Sequence, residues 1–229
     1  MITKYDLTKA TVARALRVLC RPVVTGLDRL PETGPVIIAS NHLSFLDSVI
    51  LSVMMPRRVK FIAKAEYLTT PGVKGHVMRE LFKMIDVIPV ERGQQGDSVA
   101  ALAPALEHLE QGNIFGIYPE GTRSRDGYLY RGRNGVAYLA YMTGAPVVPV
   151  GLVGTQRLQP PGSTVIRPAR FELHVGQPIE VPKAGPRHNG RMRKELTEQV
   201  MDAIAELSGQ PRKDTYNQSP SAEKDSGRG

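Results

Sequence analysis

Residues 36–55 read VIIASNHLSFLDSVILSVMM, and the character of the chain changes twice within them. Val36 to Ser40 is a short, unbroken apolar run, the pattern of a strand buried on both faces. Asn41 to Asp47 interrupts it with polar groups. Ser48 to Met55 then resumes as an apolar run long enough for two helical turns. A buried strand that passes through a polar loop into a helix is the first half of a strand–helix–strand unit.

The same alternation continues outward from this stretch. Strands are expected at Val59 to Ala63, Val87 to Val90, Ile114 to Tyr118, Pro146 to Leu152 and Phe171 to Val175. Helices are expected at Gly72 to Met84, Asp97 to Glu110, Gly135 to Thr143 and Met192 to Leu207, with Gly112 and Gly144 as stops. The spacing predicts an α/β fold, a single domain whose mostly parallel central sheet is flanked by helices. In such a sheet functional loops gather at the carboxyl ends of the strands. Before the sheet, Thr8 to Cys20 reads as an amphipathic helix, with Arg14, Arg17 and Arg21 at helical spacing and Val12, Leu16, Leu19 and Val23 on another face. That pattern suits an interfacial helix on anionic lipid, and it equally suits a terminal helix docked on the body with solvated arginines. Three segments follow: residues 1–22 as the surface helix, 23–208 as the folded domain and 209–229 as a tail. The tail, GQPRKDTYNQSPSAEKDSGRG, has almost no apolar residues and is expected to be disordered.

The chain of 229 residues is 41% hydrophobic and 23% charged, ordinary values for one globular core. Its net charge of +8 is not ordinary and predicts attraction to polyanions such as anionic lipid, phosphorylated substrates or nucleic acid. Aromatic residues are only 6% and Trp is absent, which leaves few stacking platforms and argues against nucleic acid as a partner. The single Cys20 excludes an internal disulfide and a cysteine-cluster metal site, and a reducing compartment is the simpler setting. No signal peptide is expected, because Asp6 and the arginines interrupt the apolar run one would need. No run approaches the ~18 apolar residues of a spanning helix.

Two loops carry chemistry. In Asn41-His42-Leu43-Ser44-Phe45-Leu46-Asp47, five residues separate an imidazole from a carboxylate. Five residues of helix turn through about 500°, so the pair cannot share one helical face. They can meet if His42 lies in the loop and Asp47 in the first helical turn, reaching back. A neutral imidazole can then take the proton from an alcohol as it attacks a carbonyl, while the carboxylate fixes the tautomer. Ser44-x-x-Asp47 is also a capping pattern, in which the acid accepts a backbone N–H. The two readings are compatible. No serine or cysteine stands out as a nucleophile, which favours direct transfer to a bound acceptor hydroxyl.

The second loop is Tyr118-Pro119-Glu120-Gly121-Thr122-Arg123-Ser124, again directly after an expected strand. Pro119 and Gly121 dictate a tight turn, and Gly121 permits close backbone approach by a ligand. Arg123 offers a planar fork of donors suited to phosphate. Arg125, Arg131 and Arg133 read as a solvated basic loop. His76, His108, His174 and His188 have no acid partner at a telling spacing, and no metal site or cofactor is expected.

Asn41-His42-x4-Asp47 together with Pro119-Glu120-Gly121-Thr122-Arg123-Ser124 resembles the glycerolipid acyltransferase family, in particular the 1-acylglycerol-3-phosphate acyltransferases. The resemblance covers roughly Val24 to Val181. It implies that His42 and Asp47 are catalytic. It implies that Lys64 in Lys64-Ala65-Glu66-Tyr67, Arg92 in Pro89-Val90-Glu91-Arg92, and Glu120, Gly121, Thr122 and Arg123 bind substrate. Val147-Val148-Pro149-Val150 is similar to a strand that walls the family's pocket. The implied reaction moves an acyl group from acyl-CoA or acyl carrier protein to lysophosphatidic acid, giving phosphatidic acid, at the cytoplasmic face of the cell membrane. Asp86, Pro89, Tyr67 and Tyr118, which stands where Phe is commoner, depart from the family pattern, which leaves open another lysophospholipid or glycolipid acceptor. A non-catalytic binder of anionic lipid is the alternative from a different class.

Overall fold

The computed structural model describes residues 3–64, 88–90, 99–160, 163 and 165–218. Its strands are β1 (Val23–Thr25), β2 (Val36–Ser40), β3 (Val59–Lys64), β4 (Ile88–Val90), β5 (Ile114–Ile117), β6 (Val147–Val153) and β7 (Glu172–Val175). Its helices are α1 (Lys4–Cys20), α2 (Asp47–Met54), α3 (Ala103–Glu110), α4 (Gly135–Thr143) and α5 (Gly190–Ser208). They build one seven-stranded sheet in the order β1-β7-β6-β2-β5-β3-β4. All neighbouring pairs are parallel except β6 and β7. The fold is therefore α/β with a mostly parallel central sheet, as the alternation of runs predicts.

The central strand explains why both faces must be covered. Every residue of β2 is fully buried. Val36 and Ile38 point into a core shared with α1 and α2, while Ile37 and Ala39 point into a second core shared with α3, α4 and α5. Alternate side chains thus serve opposite layers, which is why the strand is apolar throughout instead of alternating. The parallel arrangement brings the carboxyl ends of β2, β5 and β6 to one edge of the sheet, where the two motif loops emerge.

Several expectations are refined. α1 begins at Lys4, earlier than Thr8, because Thr3 and Asp6 form a capping box: the Asp6 N–H donates to the Thr3 hydroxyl at 3.3 Å and the Thr3 N–H to the Asp6 carboxylate at 2.9 Å. β1 is a strand of three residues that the pattern did not announce. It gains order by pairing with β7 and not from its own length. The expected helix at Gly72 to Met84 lies outside the described residues. The expected helix from Asp97 is described from Val99, as a 3-10 turn leading into α3.

Two readings are corrected. The tail was expected to be disordered from Gly209, yet residues 209–218 are ordered. The Leu129 N–H donates to the Pro211 carbonyl at 2.9 Å, the Lys213 N–H to the Leu129 carbonyl at 2.8 Å and the Arg131 N–H to the Thr215 carbonyl at 3.0 Å. Backbone pairing onto a preformed loop orders a segment that lacks apolar side chains of its own. Residues 219–229 lie outside the described part. His174 was read as lacking an acid partner, but its Nε2 lies 2.9 Å from Glu172 two residues earlier on β7, where alternate residues share a face.

Replacing Ile38, fully buried at the centre of the sheet, by Ala should destabilise the fold by about 2–5 kcal/mol. Urea unfolding checks this as a lower midpoint with an unchanged slope.

Candidate active site

His42 leaves the end of β2 in a loop, and Asp47 is the first residue of α2. The loop between them is folded onto one oxygen. Asp47 Oδ2 accepts from the Leu43 N–H at 2.7 Å, from the Ser44 N–H at 2.7 Å and from His42 Nδ1 at 2.9 Å. The acid thus orients the ring and accepts backbone N–H groups, but not as a capping box: Leu46, without a side-chain cap, is the N-cap of α2, and the N–H groups that Asp47 accepts belong to the loop before it. Asp47 is fully buried and the His42 side chain is 16% exposed, so the carboxylate is hidden behind an imidazole that still meets solvent. With Nδ1 engaged, Nε2 is the nitrogen available to a reacting hydroxyl.

The ring is held on its flat face as well. Tyr118 stacks on His42 with centroids 3.9 Å apart and planes 9° from parallel. Phe61 of β3 stacks behind Tyr118 at 5.5 Å. A strand residue makes room for this stack: a Cβ on Gly116 of β5 would lie 2.2 Å from the Phe61 ring. The Tyr118 hydroxyl is hydrogen-bonded to the Ser48 hydroxyl at 2.9 Å, which ties the stack to α2. Burial and the nearby Asp47 carboxylate push the Tyr118 hydroxyl well above the usual phenol range, so it stays protonated.

The two motif loops meet. The Ser124 N–H donates to the His42 carbonyl at 2.8 Å. The Glu120 carboxylate accepts from the His42 N–H at 3.1 Å and from the Tyr130 N–H at 3.0 Å. Glu120 is fully buried, and burial pushes its pKa up to about 7 against the pull of those two N–H groups, with the Asp47 and Asp126 carboxylates adding to the rise. This placement departs from the expected substrate contact. Both Glu120 oxygens are taken by backbone, so the side chain bridges the loops and does not face a ligand. Gly121 sits at φ 77°, a left-handed turn residue, and what approaches it closely is the Arg133 side chain.

Of the remaining expected residues, Thr122 is half-buried and Arg123 is exposed beside Ser124, hence next to the His42 loop. Arg131 and Arg133 are not the simple solvated arginines expected from sequence, because both guanidinium groups lie over the Tyr216 ring, at 5.2 and 5.5 Å. Lys64 ends β3, whose carboxyl end points to this same edge, and its side chain and Arg92 lie outside the described residues.

Three contributions escaped the sequence reading. The sequence places Tyr118 in the second loop but does not show its stacking on His42. Asn41 is fully buried and clamps β2 to β6: its Nδ2 donates to the Leu152 carbonyl at 2.8 Å and its Oδ1 accepts the Leu152 N–H at 2.7 Å. The tail supplies the third group, Gln210 and Asn217, for which the sequence held no signal.

Residues 21–153, more than half of the chain, match the model of the family described as Acyltransferase. The chain belongs to that family. It is 34% identical over 163 residues to a chloroplastic 1-acyl-sn-glycerol-3-phosphate acyltransferase of Brassica napus, covering 70% of this chain and 46% of that one. It is 34% identical to a chloroplastic protein of the same description from Arabidopsis thaliana, covering 70% and 44%. This chain thus spans about half the length of those plant relatives. A 1-acyl-sn-glycerol-3-phosphate acyltransferase of Bacillus subtilis is 27% identical, with 79% of this chain and 84% of that one covered. Among solved structures, the 1-acyl-sn-glycerophosphate acyltransferase of Thermotoga maritima superposes with a TM-score of 0.63 at 26% identity, over 90% of this chain and 84% of that one.

Glu120 generates a pH prediction. Its pKa is about 7 folded against 4.5 unfolded, so between those values the folded chain holds a proton that the unfolded chain has released. Its contribution is full below pH 4.5 and is lost as pH rises through 7. Melting temperatures at pH 5 and pH 8 should show this loss, and Glu120→Gln, which cannot titrate, should flatten the difference.

Proposed function

We propose that this member of the acyltransferase family moves a fatty acyl group from an acyl thioester, carried on coenzyme A or on acyl carrier protein, to the free hydroxyl of 1-acyl-sn-glycerol-3-phosphate, giving phosphatidic acid. The observation that carries the reading is the buried Asp47 holding Nδ1 of a solvent-facing His42, whose backbone is joined by two hydrogen bonds to the loop that bears Arg123. The names of the relatives support the acceptor. The basic chain suits both acidic donors equally.

In this mechanism the acceptor's phosphate rests on Arg123, with Arg92 and Lys64 as further cations, and its hydroxyl faces Nε2 of His42. The imidazole takes the hydroxyl proton as the oxygen attacks the thioester carbonyl carbon. Asp47 stabilises the imidazolium that forms. The carbon–sulfur bond then breaks, the new ester is released, and the leaving thiolate regains the proton from His42. Cys20 is buried in the core of α1, which leaves the transfer direct and without a cysteine intermediate.

The reading extends to a membrane surface at the cytoplasmic face. α1 docks through Ala13, Cys20, Val12 and Leu16, and its outer face exposes Leu7, Val18 and Leu19 beside Arg14, Arg17 and Arg21. The docked face fits a terminal helix packed on the body, and the exposed apolar and basic groups support the interfacial reading of the outer face. The strand pairings put the start of β1 at the same sheet edge as His42. Val165 and Ile166 are exposed in the loop that leads into β7 at that edge. Exposed apolar groups among arginines suit anionic lipid. No described helix is long and apolar enough to cross a membrane.

With lysophosphatidate and a labelled acyl thioester, His42→Ala should lose at least about 10²-fold in kcat while the fold is retained. A variant turning over at the wild-type rate would end the proposal. Arg123→Ala should chiefly raise the acceptor KM, because a phosphate contact is made in both ground and transition states. An unchanged KM would remove Arg123 from the phosphate site.

A further inference from the structure

The segment after α5 touches both motif loops at once. Gln210 accepts the second amide hydrogen of the buried Asn41 at 2.6 Å and donates to the Gly127 carbonyl at 2.9 Å. Asn217, seven residues on, donates to the Arg123 carbonyl at 3.1 Å and to the Thr122 carbonyl at 3.5 Å. Between these two contacts the chain is anchored along its length. Its backbone pairs with Leu129 and Arg131. Arg212 forms ion pairs with Glu198 and Asp202 of α5. Lys213 binds Asp126 at 2.6 Å and lies 4.0 Å over the Tyr128 ring.

We propose that residues 210–217 form a positioning strap for the site, with Gln210 setting the His42 loop and Asn217 setting the loop that carries Arg123. The inference rests on the acyltransferase reading for its kinetic consequences and on geometry alone for its structural ones. Asn41 immediately precedes His42, and its amide has two hydrogens. One goes to the Leu152 carbonyl and the other to Gln210. Without Gln210 a fully buried donor is left unsatisfied, and the residue beside the base loses one of its fixings. At the other end, Arg123 is exposed on a turn. Its own peptide carbonyl is tied down by Asn217. Arg133 lies close against Gly121 of the turn, and its guanidinium lies over the ring of Tyr216 of the same strap. Besides its anchors on α5 and on Leu129 and Arg131, the strap binds the residue next to the base and the backbone of the cation expected to meet phosphate.

The two ends therefore carry different kinetic signatures. Asn217→Asp keeps the size of the side chain and removes the donor. It should raise the acceptor KM about fivefold, the size of one hydrogen bond, with kcat within about twofold. Asn217→Gln, which retains an amide donor, should recover part of that loss. Gln210→Leu should lower kcat by a similar factor and leave the acceptor KM nearly unchanged. Both Asn217 variants should melt at the wild-type temperature, and Gln210→Leu somewhat below it, because it strands the buried Asn41 donor. Native-state amide exchange at Ser124, whose N–H bonds the His42 carbonyl, provides a readout independent of turnover. It should quicken at least about fivefold in Asn217→Asp. Wild-type kinetics and wild-type Ser124 exchange in both end variants would overturn the strap. Kinetic losses that simply follow a fall in melting temperature, without rescue by Asn217→Gln, would overturn it too. If the wild-type chain transfers no acyl group, the proposed function fails, and Ser124 exchange alone decides whether the strap exists.

Discussion

One carboxylate oxygen organises this site. Asp47 Oδ2 takes the His42 ring and two successive backbone N–H groups, so the same atom closes the loop that leads into α2 and aims the imidazole. A fully buried carboxylate is costly unless it is well supplied with donors, and three donors converge on this one. The arrangement is self-enforcing. The loop cannot relax without stranding the charge, and the charge cannot move without freeing the loop. In the proposed transfer this would leave the imidazole oriented before any substrate arrives.

The rest of the fold serves that geometry. β2 is apolar on both faces because helices cover both, and its buried end delivers Asn41 and His42 to a fixed place. Gly116 lets Phe61 cross β5, Phe61 supports Tyr118, and Tyr118 supports the flat face of His42. Glu120 binds the backbone of His42 from the second loop, and Ser124 binds it again two atoms along. Specific placement therefore comes from backbone hydrogen bonds made by side chains that meet no ligand. Arg123 is left exposed at the rim, where charge can meet an anion without a desolvation penalty.

Much of this is legible in the order of residues. The strand at Val36 to Ser40 and the helix at Gly135 to Thr143 are found where the apolar runs end, because local pattern and packing agree there. The His42–Asp47 meeting follows from the five-residue spacing once the loop precedes the helix. Other features were hidden for physical reasons. β1 is too short to show a period and exists through its pairing with β7. Glu120 looked like a ligand group because sequence shows its charge and not its burial. Gln210 and Asn217 sit in a polar tail whose composition argues for disorder, while its order comes from partners that are distant in sequence, Asn41 and Thr122. Long-range hydrogen bonds leave no periodic trace in a single chain.

The central claim is that the charge on Asp47, and not merely its shape, equips His42 as the base. Asp47→Asn separates the two, since an amide oxygen in the same place can still accept from Leu43, Ser44 and the ring while carrying no charge. The decisive measurement is kcat for acyl transfer by Asp47→Asn against the wild type, at saturating lysophosphatidate and acyl thioester. A loss of about 10²–10⁴-fold with an intact fold is the result this account requires. A kcat within a few-fold of wild type would contradict it and reduce Asp47 to a group that only closes its loop.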